Sequence, residues 1–288
     1  MARIALLSFA LMLGLTSQAQ FDFNTDKFID NLIGDVRSDR PGHSISAQTC
    51  GFVTLQLQTG YRFQKNVWDS GPTGDSYNSR SIVPTTFKIG LSNNLEINTS
   101  FSYQHVKSYF SVFDLTTTDA RMQSTFLGFR YSFLKGEGIV PSLALQSSMR
   151  FKRPSIGLDR MGSEFILAAN NNFGKFNVLS NIGVAWIGDG SWQTNKEPNA
   201  VPYVLNLSYN FGKVTGFIEA YGDILNPNIA LDGGVAFKIG SDFVFDIYGG
   251  CANDLDIANN WFVEAGLTYR FSFMKMMAKK KADQFFKK

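Results

Sequence analysis

The chain has 288 residues, a formal net charge of +3 at pH 7 and a mean hydropathy of −0.07. This average is typical of a soluble protein, but it is equally expected of a membrane β-barrel, in which only alternate residues of a strand meet lipid. The 27 Phe and 10 Tyr, against 8 Pro, favour strands. The length is large for one β-sandwich and ordinary for one barrel.

The first 19 residues are predicted to be a secretory signal peptide. Arg3 precedes an apolar run over residues 4–15, and small residues follow up to Ala19. No later stretch reaches the ~18 consecutive apolar residues of a membrane helix. If the mature chain enters a membrane, it must therefore do so as strands.

Residues 20–50 are predicted to be an N-terminal periplasmic segment with a short amphipathic helix. Potential capping residues, Asn24 and Thr25, come before apolar residues at helical spacing. Those apolar residues are Phe28, Ile29, Leu32, Ile33 and Val36. Two positions remain open for this helix, one plugging the barrel lumen and one resting on the periplasmic rim.

Residues 51–273 carry a strand pattern that recurs along the chain. In residues 52–63, apolar and aromatic side chains alternate with polar ones over the ~9 to 11 residues of a membrane crossing. Comparable segments are 85–92, 95–105, 122–133, 142–151, 163–170, 176–187, 203–211, 214–223, 231–239, 243–250 and 261–273. The pattern predicts an all-β fold, a transmembrane antiparallel up-and-down β-barrel of about 12 strands.

The connections between these segments alternate in length. Tight ones rich in Gly, Asn or Lys follow every even strand, whereas longer ones, including residues 64–81, 106–121 and 188–202, follow odd strands. Outer-membrane barrels show this asymmetry, with the short side in the periplasm. A soluble all-β fold has no reason to keep it. We therefore expect a protein of the Gram-negative outer membrane, with both termini periplasmic.

The last strand and the residues after it carry separate signals. Gly266, Tyr269 and Phe271 form a G-x-x-Y-x-F pattern that resembles the closing strand of outer-membrane barrels. That strand is the expected contact for the barrel assembly machinery. Residues 274–288 form a basic tail without strand alternation. We expect it to be a periplasmic surface element, with a disordered solvated tail as the alternative.

A family signature precedes the first strand. It consists of Asp39-Arg40-Pro41, followed within the strand by Gln56, Gly60 and Tyr61. These residues resemble the N-terminal signature of the outer-membrane β-barrel transporters of the phenol-degradation meta-pathway family. The resemblance implies a porin-like channel or transporter for small compounds, with hydrophobic or aromatic compounds as candidates. No cofactor is expected.

Charged residues of both signs are assigned to the inward face. A lipid-facing Arg or Lys near the bilayer midplane costs ~2 to 4 kcal/mol, so these positions are expected to line the lumen. The balance of signs argues against strong ion selectivity. Bracing of the interior and a ligand pathway both remain open roles. The candidates are Arg62, Lys88, Arg130, Arg150, Lys238 and Arg270, with Glu96, Glu164, Glu219, Asp232, Asp246 and Glu264.

Catalysis is not expected. His43 lies before the barrel and His105 ends a strand on the opposite side, so they do not easily share a site, and no metal-ligand spacing is visible. A membrane-embedded lipid-modifying enzyme is the remote alternative. A partner-binding barrel without transport is another, because aromatic residues occur in the predicted loops, namely Trp68, Tyr77, Phe110, Phe113 and Trp192. Expected partners are outer-membrane lipid, the assembly machinery and an unidentified small solute, with no nucleic acid.

Overall fold

The computed structural model describes Val36 and residues 38–40, 42–69, 71–123, 125–151, 161–186, 197–251, 255, 258–273 and 275–277. The predicted signal peptide, nearly all of the predicted helix and most of the basic tail lie outside these residues. Trp192 does as well. Among the residues described, no helix is long and apolar enough to span a membrane.

The described strands form one antiparallel sheet that closes on itself. The strands are β1 (Thr54–Asp69), β2 (Asp75–Gly90), β3 (Leu95–Phe110), β4 (Leu115–Met122), β5 (Thr125–Leu134), β6 (Ser142–Phe151), β7 (Met161–Phe173), β8 (Phe176–Trp186), β9 (Pro202–Asn210), β10 (Val214–Asp223), β11 (Asn228–Ile239), β12 (Phe243–Cys251) and β13 (Asn260–Ser272).

The sheet has twelve positions around the barrel. β4 and β5 share one of them, because β3 pairs with β4 along its second half and with β5 along its first half. β1 pairs with β2 on one side and with β13 on the other, which closes the ring. The predicted fold class, a barrel of about 12 antiparallel strands, is confirmed.

The barrel is polar inside and apolar outside. In β13, Glu264 is 1% exposed whereas its neighbour Val263 is 47% exposed. In β1, Gln56 is buried and Leu55 is exposed. Strands whose polar residues face inward and whose apolar residues face outward suit a wall with lipid outside and water or polar groups inside.

The predicted long loops over residues 64–81 and 106–121 are wrong. β1 and β2 continue pairing until only the short 3-10 turn Gly71–Thr73 joins them, and the turn Ser111–Phe113 joins β3 to β4 in the same way. β1 pairs with β13 as far as Asn66, so only residues 67–69 of β1 extend past that strand. β4 is exposed on both faces, so it needs no apolar alternation, and its sequence pattern resembles a loop.

The other end of the barrel, where β1 begins and β13 ends, carries the short connections. Glycines with positive φ form several of these turns, Gly174 at 65°, Gly212 at 103° and Gly240 at 68°. A side chain is strained in that backbone region, so glycine suits these positions. All lie within the tight connections predicted from the sequence.

Residues 38–40 and 42–50 run inside the barrel; we call them the plug segment. The chain enters beside the β11–β12 turn, where the Val36 amide donates to the Ser241 carbonyl at 2.9 Å. It leaves near the β2–β3 turn, where the Thr49 hydroxyl donates to the Asn93 carbonyl at 2.9 Å. Between these points Ala47 packs in a buried cluster with Ala144 and Ala168. This part of the predicted N-terminal segment therefore occupies the lumen.

The chain after β13 stays at the same end of the barrel. Phe273 and residues 275–277 have helical backbone conformation. The Lys275 ammonium donates to Asp242 and, at 2.8 Å, to the Ser241 hydroxyl. The first residues of the basic tail thus contact the β11–β12 turn.

Candidate functional site in the barrel lumen

Asp39 is the first of two charged anchors in the plug segment. Its Oδ2 accepts a hydrogen bond from Arg130 Nη2 at 2.6 Å, and its Oδ1 accepts one from Arg130 Nη1 at 3.1 Å. The Lys88 ammonium donates to the same carboxylate. Burial raises the pKa of Asp39, but the charges of Arg130 and Lys88 outweigh burial and hold that pKa below its ordinary value.

Arg40 is the second anchor and contacts the opposite wall. Its guanidinium forms a bidentate pair with Asp246, with hydrogen bonds of 3.0 and 3.2 Å, and donates to Glu264 at 2.6 Å. A Cβ built on Gly60 would lie 2.7 Å from Arg40 Nη2, and a Cβ on Gly266 would overlap the guanidinium. These two glycines face each other across β1 and β13. Their lack of side chains makes room for Arg40.

His43 contacts the β10–β11 wall near the middle of both strands. Its Nδ1 lies 3.1 Å from Asp232 Oδ2 and 3.6 Å from Glu219 Oε1. The ring of Tyr221 stacks on the imidazole, with centroids 4.0 Å apart. Burial lowers the pKa of His43, but hydrogen bonding to Asp232 and Glu219 outweighs burial and raises it overall.

Backbone groups of the plug segment are satisfied by the barrel wall. Asn181 accepts from the Ile45 amide at 2.7 Å and donates to the Ile45 carbonyl at 2.9 Å. Glu96 accepts from the Cys50 amide at 2.7 Å. Because an irregular segment cannot satisfy its own amides, these wall residues replace the hydrogen bonds that water would supply.

An aromatic patch lies beside the charged groups. Phe217, Tyr248 and Phe262 form a buried cluster with edge-to-face ring contacts. The Arg62 guanidinium lies 4.5 Å from the Phe262 ring centroid and donates to the Tyr248 hydroxyl at 3.0 Å. The lumen therefore offers both a cationic and an apolar aromatic surface in one place.

The residues predicted to line the lumen fall into separate groups. Lys88, Glu96 and Arg130 gather around Asp39. Arg62, Asp246 and Glu264 gather around Arg40, and Glu219 and Asp232 around His43.

Four remaining candidates lie elsewhere. Arg150 and Glu164 line a shallow depression with Phe126 and Trp186, and Arg150 lies 4.6 Å from the Phe126 ring centroid. Arg270 pairs with Asp242 at 2.7 Å, close to the barrel mouth. Lys238 is half-buried in β11.

The family-signature residues divide between the two faces of the wall. Gln56 is buried in the lumen, and Gly60 faces Arg40. Tyr61 is 54% exposed on the outer face, where its hydroxyl donates to Ser81 at 2.9 Å. Pro41 lies outside the described residues.

Several contact residues were not singled out from the sequence. Asn181, Asn206 and Tyr248 are polar side chains at inward positions of alternating strands, so the alternation alone could have identified them. The grouping of His43 with Glu219 and Asp232 could not be identified, because its members come from three separate segments. His105 is exposed on β3 and does not join His43, as expected.

Comparisons with known proteins agree with this architecture. A family model described as "Putative MetA-pathway of phenol degradation" matches residues 38–271. The COG4313 outer membrane channel from Pseudomonas putida F1 is similar in structure, with a TM-score of 0.54, 11% identity, and coverage of 81% of this chain and 99% of that one. The transport unit of the autotransporter AIDA-I from Escherichia coli has a TM-score of 0.51, 10% identity, and coverage of 86% and 96%. No curated protein sequence matches significantly.

Proposed function

This chain belongs to the family described as "Putative MetA-pathway of phenol degradation", and from that premise we propose that it is an outer-membrane channel for small compounds, with aromatic or hydrophobic compounds as its solutes. The family match begins at the plug segment and extends through β13. Plug and wall are therefore parts of one family pattern.

The polar attachment of the plug carries this proposal. Asp39, Arg40 and His43 bind the wall through ion pairs and hydrogen bonds. Apolar packing is limited in extent: Ala47 packs in a small cluster, and the His43 ring contacts Tyr221 and Phe262. Water can replace polar contacts of this kind, whereas a plug sealed by large apolar side chains would resist hydration. A plug held in this way is suited to local rearrangement that opens a path.

The aromatic patch supports the choice of solute class. Phe217, Tyr248 and Phe262 are apolar rings on the lumen side of the wall, and His43 and Arg40 of the plug contact two of them, so rearrangement of the plug would uncover ring surface. Aromatic rings favour offset or edge-to-face contact with other rings, worth ~0.5 to 1.5 kcal/mol per pair beyond area burial. A small aromatic solute that moves through the lumen could therefore form ring contacts with these side chains one after another. The family description, which concerns phenol degradation, agrees with this class.

The orientation follows from the same proposal. The barrel end that carries the short turns, the plug entrance and the end of β13 faces the periplasm, as in outer-membrane barrels generally. The longer hairpins β1–β2 and β3–β4 then extend outward. Lipid surrounds the apolar outer face, and β13 is the strand that the barrel assembly machinery would bind.

Solute flux into liposomes tests the channel. Purified protein is reconstituted and the influx of benzenesulfonate, an aromatic solute whose charge keeps it from crossing lipid unaided, is compared with that of pentanesulfonate, for the wild type, Arg40→Ala and Arg121→Ala. Arg40→Ala removes one plug anchor and should raise influx severalfold over the wild type. Arg121 pairs with Asp119 on an exposed surface, so its variant should behave as the wild type. Influx at the level of protein-free liposomes for all three proteins would contradict a channel.

A partner-binding role is the second candidate. Phe113 is 76% exposed at the tip of the β3–β4 hairpin, and Val112 beside it is 54% exposed. Apolar side chains at an extended tip are suited to contact another molecule. If Phe113→Ser abolishes capture of a surface partner while flux is unchanged, the two roles are separable. We do not propose catalysis: His43 contacts Glu219 in the lumen, whereas His105 is exposed on β3.

A further inference from the structure

The carboxylates around the plug segment outnumber their cationic partners on one side of the lumen. Asp246 and Glu264 pair with Arg40 and Arg62, whereas Glu219 and Asp232 have only His43 among the described residues. With a neutral imidazole, this side carries two negative charges in excess. The Asp39 side shows no such excess, because Asp39 and Glu96 face Lys88 and Arg130.

Asp232 gives an independent sign of a missing partner. It is 6% exposed, and its Oδ1 is buried with no hydrogen-bond partner among the described groups. Burying a carboxylate oxygen without a partner is costly, and such oxygens in folded proteins usually bind a donor, water or an ion.

The three side chains have the spacing of metal ligands. His43 Nδ1 and the carboxylate oxygens of Glu219 and Asp232 all lie within 4.8 Å of one another. Two of the separations are 3.1 and 3.6 Å. Metal bonds of about 2.0 to 2.2 Å place tetrahedral ligand atoms about 3.3 to 3.6 Å apart. The two separations that involve His43 are therefore close to those around a bound Zn²⁺-sized ion.

The surroundings orient these ligands. Glu219 accepts hydrogen bonds from the His43 and Ser44 amides and from Asn206 Nδ2, the last two at 3.1 and 3.0 Å. Tyr221 stacks on the imidazole and fixes its plane. Partners of this kind hold metal ligands in one orientation. The His43 side chain is 30% exposed, which leaves the lumen side open for ion entry and for a water as fourth ligand.

We propose that His43, Glu219 and Asp232 form a site for a divalent transition-metal ion that joins the plug segment to the β10–β11 wall. One imidazole and two carboxylates suit Zn²⁺ or Mn²⁺ better than Ca²⁺ or Mg²⁺, which prefer all-oxygen sites. A divalent ion neutralises the two excess charges and gives Asp232 Oδ1 a cationic neighbour. The site is independent of whether the lumen conducts solute.

Zn²⁺ content of the refolded mature chain, purified without a histidine tag, tests the site. After equilibrium dialysis against Zn²⁺, the wild type should retain one equivalent per chain by atomic emission. His43→Ala and Asp232→Asn should lose most of it. His105→Ala and Glu164→Gln, which change the same residue types outside the cluster, should retain it. Heat-modifiable gel mobility shows that each variant is folded.

Two results would overturn the proposal. One is wild-type Zn²⁺ content no higher than that of His43→Ala. This result would mean that a protonated His43, and not a metal ion, offsets the negative charge of Glu219 and Asp232. The other is equal loss in His105→Ala, which would mean surface binding. If the site variants fail to fold, Co²⁺ titration of the wild type is the second measurement. Visible d–d absorption that saturates at one equivalent supports the site, and a spectrum identical to aqueous Co²⁺ overturns it.

Discussion

At the residue scale, Asp39 and Arg40 show how two adjacent residues can span a lumen. Successive side chains of an extended chain point in opposite directions. Here the carboxylate pairs with β2 and β5 while the guanidinium pairs with β12 and β13. Asp39 and Arg40 therefore bind the plug segment to two opposite sides of the barrel wall.

Removing Asp39 should destabilise the protein because it leaves Arg130 and Lys88 buried without their carboxylate. We expect Asp39→Ala to lower the free energy of unfolding by about 3 kcal/mol, near the lower end for a broken buried pair because Asp39 is 16% exposed. Asp119→Ala breaks an exposed pair and should cost under about 1 kcal/mol. Urea unfolding in lipid vesicles measures both. Equal losses would mean that the plug does not need this anchor.

The same carboxylate predicts an acid-dependent stability. The pKa of Asp39 is lower in the folded protein than in the unfolded chain. Its contribution is therefore fully present above the unfolded pKa of about 3.9 and is lost as the pH falls below that value. Urea midpoints of the wild type should fall more steeply than those of Asp39→Asn below about pH 4 and run parallel between about pH 5 and 8. Parallel curves throughout would contradict this assignment.

Gly266 offers a steric test of the Arg40 position. A Cβ at Gly266 would overlap the guanidinium, whereas one at Gly216 would lie 3.7 Å from its nearest neighbour. Gly266→Ala should therefore displace Arg40 and raise solute influx toward the level of Arg40→Ala, and Gly216→Ala should leave it unchanged. Liposome influx measures both variants. If Gly266→Ala behaves as the wild type in influx and in urea stability, Arg40 does not occupy this position.

At the element scale, alternation predicted the strands wherever one face meets lipid. β13 and the first part of β1 carry this pattern clearly. It fails in β4, whose eight residues are all exposed, because water on both faces removes the selection for apolar residues on one of them. β4 was missed for this physical reason.

The site was less predictable than the strands. Arg40 and Asp246 are 206 residues apart in the chain, and no periodicity specifies which inward carboxylate an irregular segment will contact. The signature residues and the inward charges were identified from the sequence, but their pairing depends on the path of the plug segment. That path follows from tertiary contacts alone.

Two isoleucines test the membrane placement of β10. Ile218 lies at the middle of the strand and is 63% exposed, while Ile224 lies in the turn after it and is 52% exposed. Ile218→Arg should impair insertion, since arginine costs ~2 to 4 kcal/mol at the midplane, whereas Ile224→Arg should cost ~0 to 1 kcal/mol near the interface. The yield of heat-modifiable protein after folding into vesicles measures this. Similar yields for both variants would place Ile218 outside the bilayer.

At the scale of the whole molecule, the charged residues form separate groups along the barrel axis. The mouth of the barrel carries Arg270 and Lys275 around Asp242, and the middle carries the anchors of the plug segment. The Lys275 contact belongs to the tail and the Arg270 contact belongs to β13. Asp242 would therefore keep a cationic partner if the tail were removed.

Truncation after Phe273 tests whether the tail belongs to the barrel. β13 ends at Ser272, and its last residues pair with the beginning of β1, so truncation leaves the ring closed. Arg270 remains bonded to Asp242 at 2.7 Å, and the loss of a partly exposed Lys275 pair should cost no more than about 1 kcal/mol. We expect normal assembly yield, unchanged heat-modifiable mobility and weaker binding only to anionic vesicles, because six of the fifteen lost residues are lysine and only one is acidic. A truncated protein that failed to assemble would show that the tail is an assembly element, and Lys275→Ala in the full chain would then distinguish loss of this one contact from loss of the whole segment.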